Sequence, residues 1–450
     1  MGRRRGKNKN KKPPVEASEV LVMQGDGGST SRSSSSQKDG GLKGCENAIE
    51  VAKCTDIEGS IIHGESKHGV KLDDTVNKHN DTVGKHDDTA DKHDDIVDDT
   101  SYIPGLPEEV ALRCLAFLPW MHHWKLGVLS RRHRDLIRHS RLFPLRQELQ
   151  TFEQWICIYT SANNGWIAFD PKHRTWRNLP HALVGPNFVM SDKESLSAGT
   201  HLIWLGRDAF EFACYRYDLA SDGWEKGPPM VNSRCLFASA TSGKFAFAAG
   251  GITVCGLQFD VLNTAERYDS SKGVWEPLPH MATPRYKCSG FFMDGKFYVI
   301  GGKTMNHEPL MSGEEFDPVK NIWRTIENMY CMLDVSGPAP LVAVAGNELY
   351  AIESTSNLLK VYEKKSKTWK VLGKVPVRAD FCDGWGLAFK SLGNELFVIG
   401  GHRNSTQNSE GVAVFSWRPT PGATSPDWQL VNLRVAGIGS FLFNCAVMAC

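Results

Sequence analysis

Five times between residues 169 and 369 an aromatic residue is followed seven positions later by tryptophan: Phe169/Trp176, Tyr217/Trp224, Tyr268/Trp275, Phe316/Trp323 and Tyr362/Trp369. Successive tryptophans stand 48, 51, 48 and 46 residues apart. A fixed period near fifty means that one supersecondary unit has been copied. Most of the 450 residues therefore belong to one array, not to the roughly three domains that length alone suggests.

Beyond about residue 150 the apolar pattern alternates. Segments such as GKFAFAAGG (243–251), GKFYVIGG (295–302), NELYAIES (347–354) and NELFVIGG (394–401) read as strands bounded by turns. Glycine pairs fall at 250–251, 301–302 and 400–401, and Glu353-Ser354 occupies the place of a missing pair. Asp170, Asp218, Asp269 and Asp317 each follow the aromatic residue, where a carboxylate can bond the amides of a turn. Tryptophan then opens the next strand, and its ring is expected to be buried between sheets.

The first hundred residues contain no Phe, Tyr or Trp. Such a segment, rich in Gly, Ser, Asp and Lys, buries too little apolar surface to offset its ordering entropy. Residues 1–101 are expected to be disordered. They include the tandem heptad DDTVNKH (73–79), NDTVGKH (80–86), DDTADKH (87–93) and the variant DDIVDDT (94–100). Each copy offers one small apolar residue where a coiled-coil seam needs two, and Thr with paired Asp disfavours helix. Spacer is the reading over coiled coil, and His79, His86 and His93 read as solvated repeat expansion, not as a metal site. The opening cluster from Arg3 to Lys12 fits either a nuclear-import signal or a solubilising tail.

The chain is nearly neutral, with 52 Lys and Arg against 51 Asp and Glu, so no global charge draws it to nucleic acid or membrane. Its 12 cysteines show no CxxC or zinc spacing. No signal-peptide core or membrane-length apolar run is seen. The expectation is a soluble protein of the nucleus and/or cytoplasm with free thiols.

Residues 102–148 read as a small helical unit. Pro107 suits the start of a helix, and Glu108 and Glu109 favour its positive end. Val110, Cys114, Leu115 and Leu118 follow at helical spacing, and Pro119 stops the run. A second helix can carry Trp124, Leu126 and Leu129, and a third Leu136 and Ile137. The run Leu106-Pro107-Glu108-Glu109-Val110, then Leu115, Leu118-Pro119, then Leu129-Ser130-Arg131-Arg132-His133-Arg134-Asp135-Leu136-Ile137 resembles an F-box. Arg131–Arg134 departs from the Cys-Lys-x-Trp type sequence of many members. The resemblance implies a three-helix unit that docks a Skp-type adaptor, with Leu106, Pro107, Leu115, Leu118 and Pro119 as contacts.

The array resembles the kelch repeat, whose units are four-stranded blades of a β-propeller. Four units begin near Phe188, Arg234, Arg285 and Pro338, and a fifth near Phe381 has Phe415 and Trp428 13 residues apart. The first pair is preceded only by WICIYT (155–160), while GSFLFNCAVMA (439–449) is a strand without a unit. Joining the two completes a sixth blade and removes both exposed edges. The expected fold is mainly β: a six-bladed kelch-type propeller over 152–450 behind a three-helix F-box and a disordered N-terminal segment.

Residues 102–450 together look like the plant F-box/kelch-repeat proteins. That resemblance implies a non-catalytic substrate-recognition subunit of an SCF-type cullin-RING ubiquitin ligase, whose propeller holds a target protein. The alternative is a non-degradative scaffold. No phosphate loop, metal cluster or copper-radical constellation is apparent, so no enzyme activity, cofactor or metal is expected. In kelch proteins the loops entering blades and those after the glycine pair reach one face. Those positions here carry Arg207, Arg234, Arg285, Lys303, Arg378, His402 and Arg403, candidates to grip an acidic or phosphorylated segment. On this reading, charge reversal at Arg234 and Arg285 abolishes target capture and leaves thermal stability largely intact.

Overall fold

The seven-residue spacing is the geometry of one hairpin. In the computed structural model each aromatic residue lies directly across from its tryptophan on the two outer strands of a sheet. Ring centroids are 4.6–5.5 Å apart. The turn between them ends on a residue in the left-handed region, two positions before each tryptophan: Arg174, Asp222, Gly273, Asn321 and Lys367. The aspartates hold these turns as the sequence suggests. Asp170 Oδ1 accepts from the amides of Lys172 and His173, and Asp317 Oδ1 from those of Val319 and Lys320. Asp218 and Asp269 each accept from the amide two residues on.

The structure describes residues 101–449 except 140, 152, 161–164, 191–192, 209–210, 256–257, 331–338, 354, 378–385, 405–408 and 435–441. The basic start and the heptad repeat lie outside the described residues.

Six four-stranded antiparallel sheets follow one another. The second blade is Lys193–Ala198, His201–Asp208, Glu211–Asp218 and Gly223–Lys226; the third is Ala238–Ser242, Phe245–Ala249, Ala265–Asp269 and Val274–Leu278. The fourth is Ser289–Met293, Lys296–Ile300, Gly313–Asp317 and Ile322–Ile326. The fifth is Leu341–Ala345, Glu348–Glu353, Leu358–Glu363 and Thr368–Lys374. The sixth is Leu387–Leu392, Glu395–Asn404, Ser409–Trp417 and Gln429–Arg434. The first blade takes Gln154–Thr160, Trp166–Asp170 and Thr175–Asn178 from the start of the array and Leu442–Ala449 from its end. Gln154 pairs with Ala449 and Tyr159 with Asn444, so the last strand closes the ring as expected.

The innermost strand of each blade packs on those of its neighbours, and an apolar cluster fills the wedge between each adjacent pair of blades. The tryptophans correct one expectation. Trp275 is buried, but Trp176, Trp224, Trp323 and Trp369 are half-buried near the rim. Three of them pin their blade to the preceding one by the indole N–H, which donates to Asn432 Oδ1, the Pro279 carbonyl and the Met329 carbonyl at 2.9, 2.7 and 3.0 Å respectively. In the sixth blade Phe415 faces Leu430 instead, and Trp428 packs 5.9 Å from Trp417.

The helical unit has four helices, not three: α1 (Glu108–Ala116), α2 (Trp120–Leu129), α3 (Arg131–Arg138) and α4 (Leu142–Glu148). Tyr102, Ala111, Leu115, Leu126, Leu136, Ile137 and Leu142 form its core. Ser130 caps α3 by accepting from the His133 amide.

Candidate docking surfaces

The helix α4 that the sequence did not reveal fixes the helical unit to the propeller. Its Arg146, 1% exposed, donates to the carbonyls of Ala116 and Leu118 at 2.6 and 2.7 Å, and so satisfies the end of α1. It also bonds the Thr151 carbonyl and pairs with Glu153 at 3.2 Å. Glu153 accepts the Trp120 amide that opens α2, and Trp120 and Met121 join the apolar cluster of Trp155 and Trp204 between the first two blades. Beside this lock, burial and then the Arg146 charge push the His123 imidazole down to about 3. It is therefore neutral, with Nε2–H donating to the Leu118 carbonyl at 3.0 Å.

Of the five residues expected to touch an adaptor, Leu115 is a correction: it is 6% exposed, inside the unit's own core. Leu106 and Leu118 are half-buried against that core, Pro119 is half-buried, and Pro107 is exposed. The exposed apolar side chains lie elsewhere. On α1 and its C-cap these are Val110, Cys114 and Phe117, spaced four and three apart on one face. On α2 they are Trp124, Val128 and Leu129, with Phe117 62% and Val128 73% exposed. The signal was in the sequence: α1 is apolar on two faces, Ala111/Leu115 and Val110/Cys114, and only one can face so small a core.

On the propeller, Arg234 and Arg285 correct the expectation of a rim of free guanidinium groups. They are 1% and 0% exposed. Arg234 Nη1 donates to the carbonyls of Gly250 and Thr264 at 2.9 and 2.8 Å, and Nη2 to Glu266 Oε1 at 2.6 Å. Arg285 repeats this one blade on, with Gly301 and Ser312 carbonyls and Glu314 Oε1 at 3.0 Å. Each glutamate also accepts two amides of the loop entering its blade, Val231 and Asn232 or Ala282 and Thr283. The arginines thus tie the blade-entry loop to the glycine pair, with their guanidinium groups sealed inside the fold.

The glycines are part of this device. Gly250 and Gly251 take φ of +69° and +92°, and a Cβ on Gly250 would lie 2.5 Å from the Arg285 carbonyl oxygen. Gly400 and Gly401 differ, remaining inside the strand Glu395–Asn404, where a Cβ on Gly400 would lie 2.4 Å from Val377. Arg207 is half-buried 5.9 Å from the Phe212 ring centroid, and Lys303 is half-buried with its backbone bridged to Tyr286. Arg378 lies outside the described residues. His402 and Arg403 lie in the strand Glu395–Asn404, paired with Gly411 and Glu410.

Connections between second and third strands, and between blades, leave an up-and-down sheet at the same end. At that end Val231, Met305 and Met311 are exposed. A hairpin, Ile252–Cys255 with Gln258–Val261, projects there from the third blade. Its register pairs Ile252 with Val261 and Val254 with Phe259, which gives one apolar face. The pair Thr253/Asp260 occupies the other. Among the described residues no group of three or more His, Cys, Asp or Glu side chains is arranged to hold a metal ion.

The Kelch motif matches residues 284–330, essentially the fourth blade and its entry loop. The chain is 37% identical to the Arabidopsis thaliana F-box/kelch-repeat protein At3g27150, over 77% of this chain and 83% of that one. It is 36% identical to F-box/kelch-repeat protein At1g26930 of the same plant, over 78% and 84% of the two chains. It is 35% identical to F-box/kelch-repeat protein SKIP11, also of Arabidopsis thaliana, over 78% and 76%. With a four-helix unit locked to a six-bladed ring and relatives at this identity over most of both lengths, the chain belongs to the F-box/kelch-repeat protein family.

Proposed function

We propose that the protein is the target-recognition subunit of an SCF-type cullin-RING ubiquitin ligase. The helical unit docks a Skp-type adaptor, and the loop-rich end of the propeller holds a target protein. The observation that carries this reading is the exposed apolar set Val110, Phe117, Trp124, Val128 and Leu129 on a unit too small to cover it. Exposed apolar surface of that kind marks an interaction site.

The Arg146–Glu153 lock supports the second half of the reading. Adaptor and target bound to one rigid body are held at a fixed separation, so the subunit contributes effective concentration and no bond chemistry of its own. On the propeller the target contacts are Val231, Met305, Met311 and the apolar hairpin face, with Arg207, Lys303, Arg378, His402 and Arg403 as polar candidates.

The test is co-purification of the full chain with a Skp-type adaptor. Phe117→Asp with Val128→Asp is expected to abolish it while circular dichroism stays unchanged; retained binding sinks this docking surface. If the adaptor binds but loss of the protein leaves its captured partner's half-life unaltered, the non-degradative scaffold replaces the ligase reading.

A further inference from the structure

The innermost strands enclose a central cavity of about 350 Å³, walled by all six blades. That lies at the small end of the roughly 300–1,000 Å³ typical of ligand pockets. Its position is set by the turns joining first and second strands, since Gly199 and Gly243 line it.

Among the described residues the lining holds one cationic side chain, Lys390, and no carboxylate. Lys390 sits in the strand Leu387–Leu392 between Ala388 and Leu392, which share its face and belong to the apolar seam with Cys445. Lys390 itself lines the cavity, and a lysine stem can lie along such an apolar seam while its ammonium keeps to polar surroundings. Burial pushes the Cys445 thiol up to about 11, and the Lys390 charge opposes that shift. No described residue gives Lys390 a hydrogen bond or an ion pair.

The hydroxyls divide into two groups. Ser197 donates to the Val447 carbonyl and Thr241 to the Ser197 carbonyl, so these lock adjacent inner strands together. Ser195, Ser239 and Ser391 also line the cavity and make no such bond among the described residues. Phe291, Phe292, Val342 and Val344 supply apolar wall.

An unmatched ammonium in a partly enclosed site attracts an anion more strongly than it would in open water. A single positive charge matches a single negative one, and the apolar wall suits a hydrocarbon body. We propose that the central cavity binds a small organic monocarboxylate, its carboxylate on Lys390 and the free serine hydroxyls, its apolar body against Phe292, Val342 and Val344.

The test uses the full-length chain with benzoate and its uncharged isostere benzamide, followed by saturation-transfer NMR and calorimetry. Benzoate is expected to bind saturably and at least about tenfold more tightly than benzamide, the order of one hydrogen bond to a charged group. Lys390→Met is expected to lose that factor and Lys390→Arg to keep most of it. Inorganic phosphate is expected to compete poorly. No saturable benzoate binding means a water-filled channel and overturns the proposal, as does equal binding of benzoate and benzamide. Unchanged affinity in Lys390→Met, with its melting temperature matching the parent, overturns it too. Phosphate competing as well as benzoate overturns the apolar half. If Lys390→Met melts lower, the benzoate–benzamide comparison on the unaltered chain decides.

Discussion

Replacing Arg234 with Met removes a buried cation and leaves Glu266, 0% exposed, with its charge unmatched. The carbonyls of Gly250 and Thr264 lose their donor in the same step. Removing one partner of a buried ion pair costs about 3–5 kcal/mol. Over the roughly 300 residues of the propeller, an unfolding entropy of about 2.1 cal/mol/K per residue converts that to a melting temperature lower by roughly 5–8 °C. Replacing the pair together, Arg234→Met with Glu266→Leu, removes the unmatched charge. It is not expected to restore stability fully, because the amides of Val231 and Asn232 lose their acceptor as well. Differential scanning calorimetry and urea unfolding of the single and double variants measure both terms. A single variant that melts within about 1 °C of the parent refutes the reasoning. Lost target capture in that same stable variant would return Arg234 to the role of a surface contact.

Three further outcomes follow from the same geometry. His123 is held neutral when folded, with its folded value of about 3 below the ordinary 6.5, so the unfolded chain takes up more protons between these values. Stability is then expected to fall as pH drops through that window, by up to about 1.4 kcal/mol per unit from this group; urea titrations in which His123→Gln leaves the slope unaltered would contradict it. Trp369→Phe keeps most of the ring but loses the bond to the Met329 carbonyl, for an expected loss of about 1 kcal/mol by urea unfolding; a gain in stability would mean the indole bond contributes nothing. Deleting residues 442–450 removes the strand that pairs with Gln154–Thr160 and opens a long apolar edge, with aggregation as the expected outcome on size-exclusion chromatography; a soluble monomer would show that ring closure is dispensable.

The aromatic/tryptophan spacing was enough to place the hairpins and the turns that Asp170, Asp218, Asp269 and Asp317 hold, but the count of six blades also needed the unit with the glycine pair at 400–401, which lacks that spacing. A strand left over at the end and a unit short of strands at the start also implied the closure between Leu442–Ala449 and Gln154–Thr160. These are legible because periodicity is local: register within one hairpin depends only on residues seven apart. The family landmarks from Leu106 to Ile137 were likewise legible.

Burial was not. Arg234 and Arg285 occupy loop positions, where a guanidinium is ordinarily solvated, and nothing near them in sequence names their partners. Glu266 and Glu314 lie 32 and 29 residues away and meet them only because each blade folds its entry loop over its glycine pair. Leu115 and Phe117 are two residues apart on a helix apolar on two sides, and the sequence does not say which side the core takes. Likewise Lys390 reads as one lysine in an ordinary strand until six inner strands close around a cavity that it lines. The sequence by itself determined the repeating unit, because strand pairing is written in short-range alternation. Only the tertiary structure decided which charges are sealed inside and which apolar side chains are left for a partner, because desolvation depends on neighbours that the chain brings together from far apart.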